Sequence, residues 1–164
     1  MEHGAGPAIV MALEGSGVGR ALRSSLWLYP AVETLHILGF ATLVGAILAL
    51  DLRLLTADDD LDVVPWVRFL VPVAACGLLL AVPMGLLLFT AEASAYLRNP
   101  VFLAKIALIA LGLINVLWFH SGPWRTRRRV GPSAGLPPGM RLSAATSMAC
   151  WIAVLVCGRL IAYA

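Results

Sequence analysis

The residues of this chain that could do chemistry are those that hydrocarbon should exclude: Glu33, His36, Lys105, Asn115, His120 and Arg159 stand within or at the ends of long apolar stretches. A charged group at the centre of a bilayer costs around 2.5 kcal/mol or more, so such residues face a bundle interior and find partners there. Glu33 and His36 are one i, i+3 step apart and share a helix face. An imidazole so placed suits haem iron, with Glu33 orienting it or carrying a proton as the catalytic group of a membrane oxidoreductase. A Glu-x-x-His step also occurs in bundle-bound dimetal sites, but those need two such units and further carboxylates, and this chain has one. The competing reading is a polar network that fixes helix register, with Glu33 paired to Lys105 or Arg159 and His36 bonded to a carbonyl or hydroxyl.

Positioning these groups takes membrane-spanning helices. Of 164 residues, 60% are hydrophobic and 13% charged, and the mean hydropathy is +0.89. A soluble domain of this size could not hide so much apolar surface. The apolar residues gather into stretches of about 20 or more, the length a helix needs to cross roughly 30 Å of hydrocarbon. The expected fold is all-α: a transmembrane four-helix bundle forming a single integral membrane domain over residues 1–164, with spans near 26–50, 66–89, 101–120 and 142–163. Trp27 and Tyr29 anchor the opening of the first span, and Asp51 and Arg53 close it as a boundary pair. Ala41, Gly45 and Ala49 recur every fourth residue, a stripe that permits close helix approach. Pro72 and Pro83 kink the second span. Residues 1–25 are too interrupted by Gly, Ser and charge to span, lack the pattern of a signal peptide, and predict an interfacial segment with a short helix in Pro7–Arg23.

The net charge of +3 gathers in Arg125, Arg127, Arg128 and Arg129, between two spans, which reads as a topology signal or a contact with anionic lipid rather than with nucleic acid. With four crossings, one side carries Arg53, Arg68, Arg125, Arg127, Arg128, Arg129 and Arg141, the other Arg20, Arg23 and Arg98. The positive-inside rule makes the arginine-rich loop 121–141 cytoplasmic and turns both termini outward, to the periplasm if the membrane is a bacterial inner membrane. The acidic connector with Asp58, Asp59, Asp60 and Asp62 lacks the interleaved ligands and turn glycine of a calcium loop and reads as solvated. Cys76, Cys150 and Cys157 fall in apolar segments without metal-site spacing and read as packing residues.

Depth along the helices sorts the polar residues. From an outer start at Leu26, Glu33 lies roughly 10 Å and His36 roughly 15 Å down the axis, and Lys105 and Arg159 roughly 6 to 8 Å from the same face. His120 comes out roughly 13 Å deeper than His36, too far to share a metal with it, and reads as an interfacial histidine. Candidates for a second haem-iron ligand are Lys105, through its long stem, and Met84, beside the Pro83 bend, while Arg159 suits a propionate.

The run Ser25 to Pro30, the stretch Glu33 to Gly39, Gly45, Asp51 to Leu55, Phe89 and the segment Asn99 to Lys105 resemble a group of small uncharacterised bacterial inner-membrane proteins. More distantly, a first-span histidine followed by a glycine-containing stretch, with a lysine opening the third span, is similar to the haem-binding four-helix family of protoporphyrinogen oxidases and to copper-resistance membrane proteins. That resemblance implies roles for His36 and Lys105. The chain lacks the aromatic and Pro-Arg motif of the oxidases and has Asp51-Leu52-Arg53 instead, so haem is implied and the oxidase reaction is not. The expected function is b-type haem binding through His36 in electron transfer or quinone-linked redox chemistry, with the lipid bilayer, a quinone or redox protein, or a second copy as partner. The alternatives are a transporter of small solutes or ions with a Glu33, Lys105 and Arg159 cavity, and a noncatalytic scaffold whose small-residue stripe drives oligomerisation.

Overall fold

A computed structural model describes residues 8–57, 62–130 and 136–163. The chain runs through α1 (Ala8–Glu14), α2 (Gly17–Ser24), α3 (Leu28–Thr56), α4 (Val64–Ala91), α5 (Ala93–Arg98), α6 (Pro100–Ser121), α7 (Pro123–Val130) and α8 (Pro138–Leu160), with a terminal 3-10 turn at Ile161–Tyr163. Asp58, Asp59 and Asp60 of the acidic connector, and residues 131–135 of the loop after the arginine run, lie outside the described residues.

Four helices, α3, α4, α6 and α8, are long and apolar enough to cross a membrane, and the fold is that of an all-helical, multi-pass membrane bundle. Large apolar side chains point outward from them, among them Leu79 (74% exposed) and Leu117 (70%), as lipid-facing residues do. Prolines start three of the four: Pro65, Pro100 and Pro138 occupy first-turn positions, where the missing N–H is no loss. At α6 the Asn99 side chain also accepts from the Val101 and Phe102 amides.

Packing among the spans is uneven. The α3 helix packs on both α4 and α8, and α8 on α6, whereas α4 and α6 form no comparable interface. The closest crossing joins α3 to α4 through glycine: a Cβ on Gly39 would lie 2.6 Å from the Ala81 nitrogen, and one on Gly77 would lie 2.5 Å from the Leu43 nitrogen. The expected stripe of Ala41, Gly45 and Ala49 is instead exposed, and a Cβ on Gly45 would meet nothing within 4 Å. Gly39 and Leu43, one turn apart on another face, make the intrachain contact. Between α3, α4 and α8 the core is built from Leu43, Val44, Ala46, Ala74, Trp151 and Val154.

Three boundaries differ from the sequence reading. The first span runs on past Leu50 to Thr56, because no glycine or proline stops it. The arginine run is helical rather than a loop: after Gly122, α7 begins at Pro123 and carries Arg125, Arg127 and Arg128, with Trp124 and Arg127 buried. The N-terminal segment is a helix pair, since Gly15 and Ser16 break it and the Ser16 hydroxyl caps α2 by accepting from the Gly19 amide. Arg23 donates to the Glu14 and Ala91 carbonyls at 2.6 and 2.7 Å, tying this pair to the end of α4. Ile9, Met11 and Val18 remain exposed on the pair, the apolar surface an interfacial segment requires.

Candidate functional site

At the end of the bundle that carries the termini, the four spans and α5 enclose a cavity of about 700 Å³ whose wall includes Glu33, His36, Lys105 and Arg159. The helical rise that grouped these four residues by depth is realised in one space. That volume falls within the roughly 300 to 1,000 Å³ of small-molecule and cofactor sites.

His36 is half-buried and crosses from α3 to α4, where its Nδ1 lies 2.8 Å from the Ala81 carbonyl oxygen. A carbonyl only accepts, so Nδ1 carries the proton, and in the neutral ring Nε2 holds a lone pair. Among the described residues Nε2 has no hydrogen-bond partner. One ring nitrogen is thus fixed by the protein and the other keeps its lone pair, an arrangement that metal-ligating histidines share. Gly85 makes room for it, since a Cβ there would stand 2.9 Å from the His36 Cε1.

Lys105 reaches across from α6 to α8, with its Nζ 3.6 Å from where a Gly158 Cβ would sit and the Cys157 thiol nearby. Arg159, near the end of α8, donates to the Tyr163 hydroxyl at 2.6 Å and stacks its guanidinium 5.0 Å from that ring. Glu33 is exposed on the cavity side of α3. Aromatic rings complete the wall: Phe89, Tyr96 and Phe102 pack with centroids 5.2 to 6.3 Å apart. Burial and the hydrogen-bonded Tyr29 hydroxyl push the Tyr96 phenol up to about 12, so it stays protonated at neutral pH. Met84 is not part of this wall; it packs beside Leu22, Val32 and Ala91. No cluster of three or more His, Cys, Asp or Glu able to hold a metal ion occurs among the described residues.

The opposite half of the bundle holds a second cavity of about 160 Å³, and His120 lines it, apart from His36. Its Nδ1 lies 2.9 Å from the Val116 carbonyl oxygen. Asn115 and Ser143 bond each other twice across α6 and α8, the Asn115 amide to the Ser143 carbonyl and the Ser143 hydroxyl to the Asn115 Oδ1, both at 3.0 Å. Asp51 also lies here, only 4% exposed, hydrogen-bonded to Ser147. It is not the partner of Arg53. Residues two apart point to different faces of a helix, and Arg53 instead stacks over Trp66, 5.3 Å from the ring centroid. The spacing of Ser143, Ser147 and Trp151, four residues apart, is the sequence signal for this second polar face. The three cysteines are unpaired thiols, with Cys150 buried, Cys157 half-buried and Cys76 exposed.

Comparison of the chain with protein-family models, with curated proteins and with solved structures gives no match.

Proposed function

We propose that this chain is a bacterial inner-membrane protein that binds b-type haem in its larger cavity through His36 and serves electron transfer or quinone-linked redox chemistry. The observation that carries this reading is the His36 ring, held by Nδ1 on the Ala81 carbonyl so that Nε2 is free at the wall of a cavity of about 700 Å³. Haem supplies a one-electron couple when bound. The protein's part is to ligate, orient and enclose it. Nε2 of His36 would hold the iron, and Glu33, on the same helix face, would set the charge beside the imidazole. Lys105 would be the second residue to hold the iron, and the exposed Arg159 guanidinium would pair with a propionate. Met84 is left out of the ligand set because it does not line the cavity. The rings of Phe89, Tyr96 and Phe102 supply apolar walls for a flat macrocycle. The similarity of His36 and Lys105 to the first-helix histidine and third-helix lysine of haem-binding four-helix proteins belongs to the same proposal. So does the orientation with both termini periplasmic and α7 cytoplasmic, which rests on the arginine count.

Hemin titrated into the detergent-purified apoprotein tests this reading. One hemin per chain should bind with a sharp Soret shift, His36→Ala should abolish the shift, and His120→Ala should retain it. Equal hemin binding by wild type and His36→Ala would remove the basis of the proposal. If hemin fails to bind well-folded protein and liposomes show solute or ion flux that Glu33→Gln reduces, the cavity is a transport site.

A further inference from the structure

We infer that the smaller cavity is a binding site for the head of a lipid-soluble hydroquinone, whose hydroxyls donate to Asp51 and His120. The inference shares only its quinone-linked chemistry with the reading above and stands without haem.

Access comes first. The cavity lies where α4 faces α6, the two spans that form no comparable interface, so a ligand enters sideways from the lipid and leaves its tail in the gap. The walls contributed by Leu70, Val71, Leu78, Leu113 and Phe119 are apolar. A filling of water alone fits poorly: each water takes about 30 Å³ and needs two to four polar partners, and such walls offer few.

The polar groups that remain define the ligand. Asp51 uses its carboxylate toward Ser147, and its Oδ2 is buried with no hydrogen-bond partner. His120, fixed through Nδ1 on the Val116 carbonyl, leaves Nε2 without a partner among the described residues. With the Asp51 carboxyl ionised and the imidazole neutral both are acceptors, which a ligand with two hydroxyls meets, and the unpartnered Trp151 indole N–H can donate to a hydroxyl oxygen of the same ligand. A calcium or magnesium ion is disfavoured because it needs about six or more oxygen ligands, while Asn115 and Ser143 are satisfied by each other and Ser147 is bonded to Asp51. A flat aromatic ring carrying two hydroxyls, with an alkyl tail, meets the apolar walls, the two acceptors and the lateral opening together. Trp151, 2% exposed on the α8 side with its indole Nε1 unpartnered and facing Gly112, is a reporter built into the wall.

The test uses the full chain in detergent, labelled with 15N at tryptophan and titrated under argon with a decyl naphthohydroquinone. The indole cross-peak missing from Trp151→Phe should shift saturably with one ligand per chain. Asp51→Asn, which turns the free acceptor into a donor, should weaken binding at least tenfold. Ala75→Phe, which fills the cavity from an exposed position on α4, should abolish it, and Leu113→Phe fills it from α6 if Ala75→Phe does not fold. Ala41→Phe, which obstructs the larger cavity, should bind as wild type does. The inference is overturned by the absence of a saturable shift, water then being the occupant, or by loss of binding in Ala41→Phe with Ala75→Phe unaffected. Hydroquinone binding that persists in colourless protein supports the inference while the haem reading fails.

Discussion

Nothing but hydrogen stands between the Gly85 backbone and the His36 ring, and a Cβ there would come within 2.9 Å of Cε1. Gly85→Val should therefore push the imidazole off the Ala81 carbonyl and cost about 10-fold to 100-fold in hemin affinity, as losing a ligand's orienting bond does; unchanged affinity would show that this bond does not matter. Asn115→Ala should destabilise the bundle by about 1 kcal/mol, since it strands the Ser143 hydroxyl. A denaturant series in mixed micelles measures it. The grouping of Glu33, His36, Lys105 and Arg159 was legible from residue number alone, because the rise per residue of a helix is fixed. The inward turn of Asp51 was not legible, since its partner Ser147 sits on another helix and only packing brings the two together. For Met84 the direction of the α4 surface, not its depth, decides the contacts, and depth was all that residue counting supplied.

At the scale of elements, the α3 and α4 crossing depends on the absence of side chains at Gly39 and Gly77. Gly77→Leu should cost about 1 to 3 kcal/mol through overpacking, or separate the two helices outright. Gly45→Leu, on an open face, should leave the monomer's stability unchanged, and the pair compared by denaturant titration tells the two glycines apart. Helix existence was legible from hydropathy, whereas the helical state of α7 was hidden by its charge and by Gly122 and Pro123. The N-terminal pair adds a pH dependence. The Glu14 carboxylate accepts from the Ser94 amide at 2.7 Å, and that bond holds its pKa below the ordinary 4.5. A group depressed in the folded state contributes docking stability that is fully present above pH 4.5 and is lost as pH falls through the folded value. Hydrogen exchange at Ser94 should accelerate relative to the intrinsic rate on acidification below that range, and Glu14→Gln should remove the acid step.

Over the whole molecule, the four spans form a row, α4, α3, α8 and α6, curled so that both cavities are lined by all four. The number and order of crossings were legible because each span is a continuous apolar run. Which spans touch was not, since lipid-facing and packed apolar positions share the same composition. The orientation drawn from the arginine count predicts that a single cysteine at Arg125, in a background with Cys76, Cys150 and Cys157 replaced, is shielded from an impermeant thiol reagent in intact spheroplasts, whereas one at Ala8 is labelled. The central claim, that His36 holds haem, is tested most directly by the absorption spectrum of protein purified from haem-replete cells. A Soret band with a reduced α band, present in the wild type and absent from an equally well-folded His36→Ala variant, is the predicted result; a colourless, well-folded wild-type protein contradicts it.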